Sequence, residues 1–256
     1  MTTAADHKTG TGQPRPRTAP RRDDIFYPYS DGEPMGESQP HVEAIRALLD
    51  ALDDLFWDEE NVSVHGNMHW YWQQGDASRT RAPDAMIIPG VPMDHQRTSF
   101  KSWEHGGRVP STIIETASYK TYRANLGEVR EDYETNGVRE YFIFDASRLY
   151  LPAPLLGFRL ARRKYRDIPA ESDGSMVSRE LDVRLKPEGQ LLRLIDLRTG
   201  EPIPTRPERL AFYRARLDER DAQLAKQQAQ LAEQAAELKR AHALLRKHGL
   251  DPDAGK

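Results

Sequence analysis

At 256 residues the chain has room for one or two domains, and 38% hydrophobic with 30% charged residues is the makeup of a globular protein carrying polar extensions. Cysteine is absent, which excludes disulfides, thiolate zinc sites and cysteine nucleophiles and leaves oxygen or imidazole donors for any metal. A net charge of −3 gives no global attraction to nucleic acid, so such a partner would have to be met by a local basic surface.

The first 24 residues are rich in Pro, Gly, Thr and Arg and cannot bury enough surface to order themselves. They contain no apolar run fit for a signal peptide or a membrane span, so a cytoplasmic protein with no membrane association is expected. Arg15, Arg17, Arg21 and Arg22 could touch phosphates, although a solvated tail is the simpler reading. Ile25, Phe26, Tyr27 and Tyr29 are too apolar for a free tail. Residues 1–38 are therefore expected to be a flexible arm that ends in a strap across the domain surface.

From 38 to 57, Val42, Ile45, Leu48, Leu49, Leu52, Leu55 and Phe56 recur at steps of three and four and predict a helix with one apolar face, capped by Ser38. Residues 61–72 alternate and are rich in β-formers, predicting one strand with Gly66 as a bulge or close approach. His65 and His69 lie on it, but each strand residue advances the chain about 3.3 Å, too far for two such side chains to share a metal easily. They read as structural or surface histidines.

The stretch from Arg81 to Asp145 reads strand, strand, helix, strand. Ile87 and Ile88 follow Asp84, and Ile113 and Ile114 run directly into Glu115, so each acid is attached to a short β-branched segment with the character of a buried strand. Two carboxylates on neighbouring strands can share one hard cation, because Mg²⁺ is commonly held by one or two carboxylates with waters and phosphates completing its shell. Taken singly, either acid reads more simply as a turn or strand-end residue. The loop between them, residues 89–110, carries Lys101, Trp103, His105 and Arg108, a mixed basic and aromatic set that could contact a substrate strand. Leu126, Val129 and Tyr133 follow helical steps, and Asn136-Gly137 stops that helix.

Several segments resemble the putative restriction endonuclease family often called Uma-two, a branch of the PD-(D/E)XK nuclease superfamily. They are APD at Ala82–Asp84, IIET at Ile113–Thr116, LGEV at Leu126–Val129, Tyr133 and GVREYFIFD at Gly137–Asp145, with His41 and the VSVHGNMHWYW run upstream. The resemblance covers roughly residues 39–200. It implies an α/β fold with a restriction-endonuclease-like mixed β-sheet core flanked by helices, and Mg²⁺- or Mn²⁺-dependent hydrolysis of nucleic acid, DNA above all. Asp84 and Glu115 would be metal ligands, with Glu43 a conceivable accessory acid. The family pattern also carries an Asp and, four residues later, a catalytic Lys on the second helix. Here those places hold Asn125 and Val129. Lys120 is the natural substitute, with Arg123 and Arg130 nearby. Two readings stay open: an endonuclease impaired by the loss of that lysine, with Asp84, Glu115 and Lys120 as its catalytic set, and a catalytically silent relative that binds nucleic acid or protein.

Beyond Asp145 the pattern alternates again and predicts β-hairpins extending the sheet. Arg159, Arg162, Arg163, Lys164 and Arg166 form the densest basic cluster. Lys101, Arg123, Arg130, Arg162, Arg163 and Lys164 are the candidate nucleic-acid contacts. A further β unit spans 181–197. Finally, Leu210, Leu217, Leu224, Leu231, Leu238 and Leu245 fall every seven residues without Gly or Pro, predicting a long helix over 206–248 and a homodimer through a weak coiled coil. The weakness follows from the companion seam, which is Arg214, Asp221, Gln228, Ala235 and His242 rather than β-branched.

Overall fold

The structure, a computed structural model, describes residues 25–27 and 38–249. The arginines of the expected arm and Tyr29 lie outside them. In chain order the elements are α1 (Gln39–Leu55), β1 (Val62–His65), β2 (Trp70–Tyr71), β3 (Thr80–Arg81), β4 (Ala85–Pro89) and β5 (Phe100–Lys101). Next come β6 (Thr112–Thr116), α2 (Tyr122–Leu126), α3 (Glu128–Thr135), β7 (Glu140–Phe144), β8 (Leu155–Ala161) and β9 (Lys164–Asp167). The chain continues through β10 (Met176–Ser178), β11 (Val183–Glu188) and β12 (Leu191–Asp196) to α4 (Arg206–Lys247).

A six-stranded mixed sheet of order β1-β4-β6-β7-β8-β9 forms the centre. Only β6 and β7 run parallel within it, and the crossover that parallel pairing requires is supplied by α2 and α3. The two faces bury different partners. Ala85, Ile87, Ile114 and Phe142 pack under α1 (Ala44, Leu48, Leu52) and under the small β10-β11-β12 sheet. Met86, Ile88, Ile113, Tyr141 and Ile143 pack under Val129 and Tyr133 of α3 and under Trp70 and Phe100 of the β3-β2-β5 sheet. Central strands buried on both faces explain why β4, β6 and β7 are apolar runs and not alternating ones.

Three elements depart from the expectations. The single strand over 61–72 is two strands in different sheets, because the chain turns at Gly66 and Asn67, the latter in the left-handed region with φ 50°. A Cβ on Gly66 would sit 2.4 Å from Leu49 Cδ1 and 3.0 Å from the Asp84 carbonyl, so glycine is required there by close approach. The single helix after Glu115 is two helices, broken at Gly127. The 89–110 loop contains β5, which pairs in parallel with β2. Ser38 occupies the N-cap position of α1 but makes no side-chain capping bond.

Tyr27 lies against the β3-β2-β5 sheet, its ring 5.0 Å from that of Tyr71 and 5.2 Å from that of Trp103, and its hydroxyl accepts the Gly75 N–H at 2.7 Å. The hairpins expected after Asp145 are β8 with β9 and the β10-β11-β12 meander. Helix α4 opens with a capping box between Thr205 and Glu208 and buries none of its residues. Among the described residues no helix is long and apolar enough to cross a membrane.

Candidate active site

Strands β4 and β6 pair antiparallel with Ala85 opposite Ile114 and Met86 opposite Ile113. Continuing that register one residue places Asp84 opposite Glu115. Alternation then puts both acids on the face occupied by Met86, Ile113 and α3. Each is 8% exposed. The Thr116 N–H donates to Asp84 Oδ2 at 2.7 Å, and the Asp84 N–H points at Glu115 Oε2 at 3.4 Å. The Tyr133 hydroxyl, from α3, donates to Glu115 Oε1 at 2.7 Å.

Two buried acids side by side disfavour a second negative charge. Burial pushes the Glu115 carboxyl up to about 7, against hydrogen bonds from Tyr133 and Asp84 and the field of Arg81, all of which pull it down. Tyr133 is pushed well above the ordinary phenol range, first by burial and then by the Glu115 charge. Glu115 thus holds its proton to higher pH than an ordinary carboxylate.

Arg81 went unnoticed as a site residue in the sequence, three positions before Asp84. It stands on β3, donates to Asp132 Oδ2 at 2.6 and 2.8 Å, and lies 3.8 Å from Glu128. Its charge is therefore divided between α3 and Glu115. Val129 is buried and precedes Tyr133 by four residues, so the two side chains share the α3 face that meets Glu115. Asn125 is buried with its Nδ2 unpartnered, and its carbonyl accepts the Tyr141 hydroxyl.

Lys120 is exposed on the turn that follows β6, at the same end of the strand as Glu115. Arg123 is exposed and donates to the Tyr122 hydroxyl, while Arg130 lies over the Phe158 ring at 4.1 Å. Lys164 is held by Glu134 at 2.6 Å and Lys101 by Glu104 at 3.1 Å. Arg162 and Arg163 are the two residues linking β8 to β9, both left-handed (φ 52° and 66°) in a turn where Asn-Gly is the low-strain choice. By strand rise and spacing this tip lies on the order of 20 Å from Glu115. Lys120 and Arg123 thus follow the end of β6 that carries Glu115, whereas Arg162 and Arg163 sit at a remote hairpin tip.

Several other acids and imidazoles have partners of their own. Glu43 is exposed and bonded by Gln39 at 2.9 Å, on the helix packed against the opposite sheet face. His65 is pushed down to about 4 by burial and by Arg97, whose Nη1 lies 3.0 Å away, and His69 is 3.3 Å from the Thr80 hydroxyl. Two acids of the GVREYFIFD segment are structural. Glu140, 1% exposed, binds Arg159 at 2.7 Å and Ser178 at 2.5 Å, clamping β7 to the β10 region. Asp145 accepts the N–H groups of Ser147, Tyr150 and Leu151, and these bonds outweigh burial to hold it below the ordinary carboxylate range.

The model of the family described as Uma2, putative restriction endonuclease, matches residues 16–191, more than two thirds of the chain. The chain belongs to the Uma2 family. The matched stretch takes in Tyr27 and every residue of the acidic pair's surroundings, and it ends within β12, so α4 lies outside it. Among solved structures the chain is similar to one described as a putative nuclease belonging to DUF820 from Anabaena variabilis ATCC 29413. The identity is 10%, with 62% of this chain and 89% of that one covered and a TM-score of 0.43. No curated protein matches the chain.

Proposed function

We propose that this Uma2 protein is a divalent-metal-dependent endonuclease acting on DNA, with Asp84 and Glu115 as ligands of one Mg²⁺ or Mn²⁺ ion. The observation that carries this reading is the cross-strand pair itself. Two carboxylates buried on one sheet face, one fixed by the Thr116 N–H and the other by the Tyr133 hydroxyl, form a donor pair suited to a hard divalent cation. The donor set fits a hard ion. Among the described residues no three His, Cys, Asp or Glu side chains gather to hold a metal, so the protein offers two carboxylates and leaves other positions to water and phosphate. A structural zinc site would need four donors.

When bound, the ion supplies Lewis acidity toward the phosphate and a lowered pKa for the attacking water. The chain's own residues hold the geometry. Thr116 fixes Asp84 through its N–H, and Tyr133 fixes Glu115 through its hydroxyl, so both acids keep their positions when Glu115 loses its proton. Lys120 is the group that would stabilise charge developing on the phosphate. Arg81 is less suited to the task, since it is engaged by Asp132 and cannot move a proton. The left-handed Arg162-Arg163 tip would contact phosphates further along the duplex, where strain maintained in the backbone is repaid by binding. Lys101, Arg123, Arg130 and Lys164 would add salt-sensitive contacts after leaving their present partners. The protein associates weakly with itself through the leucines of α4.

The burial of Val129 on the face that meets Glu115 favours a second reading, a catalytically silent protein that binds nucleic acid through the same fold. Nicking of supercoiled DNA with Mg²⁺, set beside calorimetric Mg²⁺ binding, separates the two. The first reading expects binding and slow nicking, both lost in Asp84→Asn. Binding without nicking supports the second, and absence of Mg²⁺ binding overturns the metal site.

A further inference from the structure

Among the described residues the first turn of α4 is tied to the domain, through Arg209 with Asp54 and Glu208 with Arg193 at 2.9 Å. Past that turn the six heptad leucines are 38–64% exposed. A strict seven-residue stripe drifts by about 20° per heptad on a straight helix, so a supercoiling helix with the same repeat covers the whole row. A second copy of this chain carries that repeat. Closed pairing of two copies demands two-fold symmetry, which leaves a parallel pair in register or an antiparallel pair.

Charge decides between them. In a parallel pair the companion seam sets Arg214 against Arg214 and Asp221 against Asp221, two like-charge contacts inside the interface. In an antiparallel pair each companion residue faces a leucine. Leu224 then meets Ala235 of the second copy, Leu231 meets Gln228, Leu217 meets His242, Leu238 meets Asp221 and Leu245 meets Arg214. In this register the flanking positions bring Asp218 beside Lys239 of the second copy, twice by symmetry, and Ala225 beside Ala232. Sliding the helices one heptad toward their N-termini keeps the layers but loses both ion pairs.

Building on the self-association proposed above, we propose that α4 forms an antiparallel two-stranded coiled coil with a second copy in this register, carrying the two nuclease domains at opposite ends. At 1.5 Å per residue the two helix starts are about 70 Å apart. That separation of the helix starts is about two turns of a duplex, each about 34 Å long. The dimer is built to engage two separate DNA segments and to nick each.

The chain has no cysteine, so Ala215→Cys, exposed on the face away from the leucines, creates a unique spin-label site. Sedimentation of the labelled full-length protein establishes whether a dimer exists, and pulsed electron spin resonance then reads its orientation. The antiparallel register places the labels about 45 Å or more apart, and the parallel one under about 30 Å. Asp218→Lys should weaken dimerisation, and adding Lys239→Asp should restore it. A short label distance, or no rescue by the double variant, overturns the antiparallel pairing and leaves self-association standing. A monomer at all concentrations overturns self-association itself.

Discussion

The proton on Glu115 is the most direct handle on the site. Its carboxyl sits at about 7 against an ordinary 4.5, so the folded protein binds this proton more tightly than the unfolded chain does. For such a group stability is fully present below the unfolded value and is lost as pH rises toward the folded one. A gap of some 2.5 units corresponds to about 3 kcal/mol, lost between about pH 4.5 and 7. Glu115→Gln replaces the protonated acid by a near isostere that still accepts from Tyr133. The variant should match the parent below pH 4.5 and exceed it by about 3 kcal/mol at pH 8, measured as the difference in urea midpoints at constant slope. Saturating Mg²⁺ should narrow the gap at pH 8 by stabilising only the parent, and the parent's Mg²⁺ affinity should climb up to about pH 7 and then level off. A parent–variant difference that stays flat from pH 4 to 8 would refute the reasoning, because it would mean that burial does not raise the Glu115 pKa.

Loss of a group that stabilises transition-state charge typically costs about 10²–10³ in rate, so Lys120→Ala should reduce Mg²⁺-dependent nicking by that factor with unchanged thermal stability. If the parent is inert, Val129→Lys with Asn125→Asp should generate nicking. Brisk cleavage indifferent to Lys120→Ala would rule out Lys120 and turn attention to Arg123 and Arg130. Glu140→Ala strands Arg159 and removes the link to Ser178, and should cost about 3–5 kcal/mol in chemical denaturation while Mg²⁺ binding persists. Replacing Leu224 and Leu231 with Ser should shift sedimentation toward monomer and leave the domain's near-ultraviolet dichroism unchanged. A dimer that survives both changes would rule out the leucine seam.

The acidic pair was legible because its surroundings are local. Asp84 and Glu115 each adjoin a β-branched run, and a strand buried on both faces must be such a run. The long helix was legible for the same reason, since its heptads require no knowledge of the rest of the chain. What escaped the sequence depends on contacts distant along it. Tyr133 reads as a core aromatic until β6 is packed under α3, and Arg81 reads as a loop residue until Asp132 and Glu115 are placed around it. Glu140 gains its partners from Ser178 and Arg179, nearly forty residues on. The break at Gly66 was signalled by the glycine, but its cause is the approach of Leu49 and the Asp84 carbonyl.

One physical cause links the titration of Glu115 to the speed of the site. Val129 puts no charge on the α3 face and Arg81 is shared with Asp132, so burial prevails and Glu115 keeps its proton to higher pH, and on the proposed reading neither residue would oppose charge developing on a phosphate. A lysine at position 129 would act on both, because it would project from the same face as Tyr133, one turn away. Val129→Lys should therefore lower the Glu115 pKa and raise the nicking rate together. Lys120 is different. It is exposed in the free protein and is not among the charges that set the Glu115 pKa. If it serves as the catalytic cation, it moves in only when DNA is bound. Lys120→Ala should then slow cleavage by about 10²–10³ while leaving the pH dependence of stability in the free protein unchanged. A resident cation at position 129 and a recruited one at position 120 are thereby distinguished by whether rate and proton affinity change together.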